Sequence, residues 1–164
     1  FGEATGLTTS EATDFMAKFK STYVGVTTFI NNTIASLPKQ GYISTIGGRK
    51  NYFADIHSPD THLQRAAERA AVNAICQGSA ADLIKLAMVN IEKRLKIPSV
   101  HGARKIQARL VLQIHDELVY EVPHQQLACV SRIIKSEMRN AIPLSVPLLV
   151  TVKSGPNWGN LRPL

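Results

Sequence analysis

The sequence predicts an α+β fold, with helices and antiparallel hairpins in separate stretches, and three observations carry that prediction. A helical pattern runs from His62 to Leu95, broken only at Gly78-Ser79. The run from Arg109 to Val122 places two aliphatic, β-branched segments around His115-Asp116-Glu117, which reads as a β-hairpin. A hydrophobic content of 45% in 164 residues is enough for one domain with a real core and too little length for a second.

Taken in order, Thr8-Thr9-Ser10-Glu11 forms a capping box, in which Thr8 caps a helix and Glu11 answers three residues later. Ala12, Phe15, Met16 and Phe19 follow at helical spacing, so a short amphipathic helix is expected. Val26, Phe29, Ile30, Ile34 and Leu37 predict a second helix that stops across Pro38 to Gly41, making an αα-hairpin. Tyr42 to Ile46 alternates as a strand, turns at Gly47-Gly48 and returns through Arg49 to Phe53, so the turn presents Arg49 and Lys50. In the long helix, Ile84, Ala87, Met88, Ile91 and Leu95 make a core stripe. Lys93, Arg94, Lys96, Arg104, Lys105 and Arg109 form a basic segment that Pro98, Ser99 and Gly102 mark as a loop. Gln125 to Ala141 carries Leu127, Val130, Ile133, Ile134 and Met138 as a further core helix. Val146 to Lys153 reads as a strand that can join the hairpin's sheet, and Trp158 with Leu161 closes the chain.

Charge narrows the function classes. The net charge of +7 favours a polyanionic partner, because each Lys or Arg placed on a phosphate backbone releases counterions; an anionic membrane surface would also fit. No apolar run approaches the roughly twenty residues needed to cross a bilayer. Cys76 and Cys129 lie far apart in helical patterns, which suits reduced, buried thiols in an intracellular protein. The first residues match no signal peptide, and the start at Phe1 without Met is expected of a fragment.

Two constellations carry chemistry. Arg69, Asn73 and Gln77 recur at i, i+4 and i+8, a polar row about 12 Å long on a helix. Their donors can reach purine N3 and pyrimidine O2, the acceptors every base pair shows in the minor groove, so such a row would track a duplex without reading sequence. A solvated helix face is the plain alternative, and the row alone leaves it open. At the hairpin tip, Asp116 and Glu117 are hard oxygen ligands suited to Mg²⁺, and they must be solvated, paired or metal-bound. They can equally be turn residues between strands. His115 can donate to a sugar or base, or simply pack. A metal site of this kind needs a further carboxylate, and Asp55, Asp60 and Asp82 sit in no comparable strand-end context, with Asp82 expected on a helix surface. Neither a serine nucleophile elbow nor a reactive-cysteine setting is present to support hydrolase chemistry.

Gln113-Ile114-His115-Asp116-Glu117-Leu118-Val119-Tyr120-Glu121-Val122 resembles the catalytic palm hairpin of the A-family DNA polymerases. Ala67 to Asp82, reading AERAAVNAICQGSAAD, resembles the long palm helix before it. Agreement at Phe19-Lys20-Ser21-Thr22-Tyr23, Gly48-Arg49-Lys50 and Asn157-Trp158-Gly159 extends the likeness over nearly the whole chain. Within the family the wording is most similar to the theta type, with the nu type next.

The resemblance implies a palm-type antiparallel sheet whose catalytic hairpin packs on long helices. It divides the chain into 1–61, a helical hairpin and β-hairpin from the junction with the fingers, and 62–164, the palm. It implies Asp116 as a Mg²⁺ ligand, Glu117 as a supporting catalytic carboxylate, and His115 as a contact to the primer terminus. Arg69, Asn73 and Gln77 would track the minor groove, Arg49 and Lys50 would hold the template-primer backbone, and Gln113 would also face the primer. Primer-template DNA, deoxynucleoside triphosphates and the remainder of a parent polymerase are the implied partners, with DNA repair in the nucleus as the setting. The family's other metal-binding Asp and the helix that grips the incoming nucleotide fall outside this sequence, whose first residue matches the position just after that helix. The chain is therefore expected to be an inactive C-terminal part of a polymerase domain, and the stretch after Ile97 is shorter than the insertion theta-type enzymes can carry there. A duplex-binding module without chemistry, or a metal-dependent nuclease, are the competing expectations.

Overall fold

A computed structural model of the chain describes residues 6–97 and 106–164. Contacts divide it into two compact units, 1–76 and 77–164. Of the expected basic segment, Arg104 and Lys105, with Pro98, Ser99 and Gly102, lie outside the described residues.

The first unit opens with α1, Thr9–Thr22. The capping box forms as expected: the Glu11 amide donates to Thr8 Oγ1, and the Thr8 amide donates to the Glu11 carboxylate at 2.8 Å. That pairing holds the Glu11 carboxyl below its ordinary range, through the Thr8 hydroxyl first and the Thr8 amide second. Helix α1 buries no residue; Phe15, Met16 and Phe19, its apolar side, are exposed. After Tyr23, helix α2 spans Val24–Gln40. It ends within the expected Pro38 to Gly41 stretch and includes Pro38, since a proline in the final turn forfeits one backbone bond where the helix is ending anyway. Gly41, at φ 72°, supplies the left-handed cap, its N–H bonding to Leu37 O at 2.8 Å.

Strands β1, Tyr42–Ser44, and β2, Lys50–Tyr52, pair antiparallel with Tyr42 opposite Tyr52 and Ser44 opposite Lys50. Gly48, at φ 82°, closes the turn by donating to Thr45 O at 2.9 Å. A 3₁₀ turn, Ala54–His57, leads to α3, Thr61–Lys96. Asp60 caps α3, accepting from the His62 amide at 2.8 Å, which is the use this carboxylate is put to. Leu37, Ile43, Ile56 and Ala71 form the core of this unit, joined by Phe53, Ala74 and Ile75.

Helix α3 is continuous over its 36 residues and passes Gly78-Ser79 without a break. One interior glycine costs only about 1 kcal/mol against alanine, too little to interrupt a helix held by packing on both sides of it. In the second unit its stripe is buried at Ile84, Ala87, Ile91 and Leu95 and half-buried at Met88. Asp82 is half-buried and partnered, not on an open surface. Strands β3, Arg109–Ile114, and β4, Glu117–Glu121, make the central hairpin, and a 3₁₀ turn at His124–Gln126 leads into α4, Leu127–Arg139. Ile91, Leu95 and Val130 are the second core, against which Leu118, Tyr120, Val122, Ile133, Ile134 and Met138 pack. Full burial of a side chain such as Ile91 is worth about 1.5–3 kcal/mol, so this cluster fixes the hairpin's inner face to α3 and α4.

Two expectations are corrected here. The stretch from Val146 to Val152 is not a strand of the hairpin's sheet; only Lys153–Ser154, β5, is extended, and it pairs with Arg162–Pro163, β6, in a sheet of its own. Pro147 has no N–H to give a ladder, and Val146 and Leu149 face outward. Gly155 is required between them, since a Cβ there would strike the Asn160 carbonyl oxygen. The cysteines are free, as expected, but both are exposed: Cys129 adjoins buried Val130, whose phase on α4 turns the thiol outward, and Cys76 likewise lies off the buried side of α3.

Candidate active site and nucleic-acid interface

The hairpin tip is built by a short loop. Ile114 pairs with Glu117, so only His115 and Asp116 make the turn. A two-residue connection between right-twisted strands requires positive φ at its first position, and His115 supplies it at 51°. Histidine enters this region less easily than glycine, at a cost on the order of 1–3 kcal/mol, and such strain gathers at functional sites. The turn is braced by its own strand: Gln113 Nε2 donates to the His115 carbonyl at 2.7 Å. At the base, Arg109 and Glu121 form an ion pair at 2.7 Å, largely exposed and therefore weak.

Between base and tip the register shifts. Leu110 faces Tyr120 and Leu112 faces Val119, leaving Val111 as an extra, unpaired residue. Cross-strand partners share a face, so Leu110 and Gln113 lie on the core side with Tyr120 and Leu118, while Leu112 and Ile114 lie on the other side with Val119 and Glu117. His115, Asp116 and Glu117 are all exposed, and among the described residues neither carboxylate is held in an ion pair. Adjacent, solvated carboxylates fit a hard divalent cation. Among the described residues no three His, Cys, Asp or Glu side chains come together as a complete ligand set. Below the tip, burial, and then the Glu92 carboxylate, push the Tyr120 hydroxyl up to about 12.

In the first unit, Arg69 and Asn73 lie one turn apart on α3, both exposed, and they line a groove of about 470 Å³ between α2 and α3. Ile30, Ile34 and Val72 give it an apolar floor, with Arg65, Glu68 and Cys76 along the rim. Gln77 follows four residues on in the same helix, exposed, and belongs to the second unit. Arg65 precedes Arg69 by four residues, so the spacing that identified the row would have extended it by a turn; the sequence reading passed it over. Arg49 and Lys50 are exposed at the β1–β2 turn, where the Arg49 amide donates to Thr45 Oγ1 at 3.1 Å. Lys50 Nζ stands 4.4 Å from the centre of the Tyr42 ring, which in turn lies 5.5 Å from that of Tyr52. The opposed tyrosines went unremarked in the sequence, although two aromatics bracketing a Gly-Gly turn signal a cross-strand pair. Arg49, Lys50, Arg69 and Asn73 thus share the core built on Ile43 and Ala71, and the His-Asp-Glu tip belongs to the core built on Ile91 and Val130.

Comparison with known proteins shows where this architecture belongs. The family model described as DNA polymerase family A matches residues 1–160. The chain belongs to DNA polymerase family A. Among other family A proteins, DNA polymerase I of Caldicellulosiruptor bescii is 40% identical over 148 residues, 90% of this chain and 17% of that protein. DNA polymerase theta of Mus musculus is 36% identical over 188 residues, 98% of this chain and 7% of that protein. A solved structure of the polymerase domain of Pol1 from M. smegmatis, in complex with DNA primer-template and dNTP, superposes with a TM-score of 0.83 at 35% identity. That match covers 90% of this chain and 25% of the M. smegmatis chain. The chain thus spans about one-sixth of the length of the bacterial relative and less of the mouse one, and bacterial and animal members of family A resemble it alike. No helix among the described residues is long and apolar enough to cross a membrane.

Proposed function

We propose that this chain is the part of a DNA-directed DNA polymerase that carries one half of the catalytic metal site and much of the grip on the primer-template. The observation that carries this is the exposed Asp116-Glu117 pair, lifted on a two-residue turn in a chain belonging to family A. Asp116 would ligate Mg²⁺ and Glu117 would support that site, with the remaining ligands supplied from elsewhere in the parent. Bound there, Mg²⁺ would offset negative charge developing on the phosphate during transfer to the primer 3′ end. His115 is placed at the apex to contact the primer terminus, and Gln113 beside it. Arg69, Asn73 and Gln77 offer donors for minor-groove acceptors whatever the sequence, and Arg49 with Lys50 offers cations for phosphates. Substrates of this class are primer-template DNA and deoxynucleoside triphosphates, as named for the M. smegmatis neighbour. Likeness in wording to the theta type supports work in nuclear DNA repair, and microscopy of the tagged parent checks that location.

The test is metal-dependent primer extension. The parent protein extends a labelled primer with Mg²⁺ and dNTPs. Asp116→Ala removes extension by more than the roughly hundredfold that losing an outer-shell partner typically costs. The 164-residue chain alone gives no extension, since among its described residues the tip carboxylates lack a third ligand. Robust synthesis by the chain alone would overturn the divided site. Binding without extension by the parent would favour a non-catalytic duplex-binding module, and shortening of the primer in the absence of dNTPs a nuclease.

A further inference from the structure

We infer that Gln113 is a positioning residue for the catalytic turn, acting on Asp116 through the backbone; this rests on the polymerase reading of the tip. Three observations converge. The turn has only two residues, closed by the Ile114–Glu117 pair, so it has no further loop residue of its own to brace the peptide between them. His115 sits at φ 51°, a conformation that its side chain disfavours and that must be held from outside. The group that holds it is the Gln113 amide, 2.7 Å from the His115 carbonyl oxygen.

That carbonyl belongs to the peptide joining His115 to Asp116. Because a peptide unit is planar, fixing its oxygen also fixes the direction of the Asp116 N–H and Cα. The Gln113 side chain therefore sets where the Asp116 carboxylate starts from. The partner is a carbonyl, so the side chain must present a donor, and the Gln113 amide has the reach to do so from the strand to the second residue beyond it. The shifted register at Val111 contributes by placing Gln113, itself exposed, opposite Leu118, which packs on the second core, so the strand that carries the clamp is paired with an anchored one. One amide hydrogen is occupied by the turn. The other, and the amide oxygen, remain available for DNA, so clamping and primer contact are separable properties.

Two variants of the parent protein isolate the clamp. Gln113→Met keeps the length and loses the donor; Gln113→Asn keeps the donor and loses the reach. Mn²⁺ binding is followed by electron paramagnetic resonance in the parent bound to primer-template without nucleotide, alongside primer-template affinity and melting temperature. Both variants are expected to bind Mn²⁺ roughly tenfold more weakly at an unchanged melting temperature, and any loss of primer-template affinity reports the primer contact of the same amide separately. Extension then requires proportionally more metal. Weakened primer-template affinity with normal Mn²⁺ binding would overturn the clamp and leave Gln113 as a primer contact, and wild-type behaviour of both variants would overturn it as well. A wild-type parent that binds no Mn²⁺ and extends no primer overturns the polymerase reading, and the clamp with it.

Discussion

Tyr120 shows how a single side chain links the candidate site to solution conditions. It lies on β4 among Ile91, Val130 and Met138, and burial followed by the charge of Glu92 pushes its hydroxyl up to about 12. A group whose pKa is raised by folding keeps more protons in the folded state, so its contribution is complete below the unfolded value near 10 and is lost as pH climbs from there to about 12. The melting temperature should fall more steeply over that window for the wild-type chain than for Tyr120→Phe, and the two should run parallel below it. Identical slopes would mean that the hydroxyl reaches water more freely than its surroundings indicate. Asp116 and Glu117, only a few residues away, are exposed, so the candidate ligands and the group that sets alkaline stability are different residues of one hairpin.

At the scale of elements, what the sequence revealed and what it hid follow from the range of the forces involved. The Thr8–Glu11 box and the Gly41 cap are made by residues within four of one another and were legible; so was the hairpin, though Glu117, read as part of the tip, begins β4. The stretch from Val146 to Val152 was not, because alternation records a willingness to pair while the partner is decided elsewhere in the chain. Gly78-Ser79 was read as an interruption by a local rule that packing overrides. The apolar side of α1 was legible as a pattern, yet Phe15, Met16 and Phe19 are exposed. Of the candidate site, residue types and spacing were readable, whereas the bond from Gln113 to the turn was hidden because nothing in a sequence gives the φ of His115. The polar row gives an element-scale test: in the parent, Asn73→Ala should weaken primer-template binding by about 1 kcal/mol, the net worth of one hydrogen bond, equally on unrelated duplexes. A defect confined to certain sequences would show base readout instead.

For the whole molecule, the net charge of +7 is the property that matters to a nucleic acid before any contact forms. Binding of the parent to primer-template should fall steeply with salt, and Lys50→Ala should reduce that logarithmic slope by about one unit if its ammonium meets a phosphate. An unchanged slope would assign Lys50 to its ring contact with Tyr42. The unpaired Val111 sets a different kind of limit. Deleting it would leave Arg109 opposite Glu121, Leu110 opposite Tyr120 and Leu112 opposite Val119, so the hairpin should still assemble. It would also remove the local bend and added twist that an extra residue imposes, and so swing the apex away from its present aim. The parent lacking Val111 should therefore fold and hold DNA yet extend primers poorly, whereas Val111→Ala should remain active. A polymerase could in this way be silenced by a change of length in one strand, with every chemical group of its tip still in place.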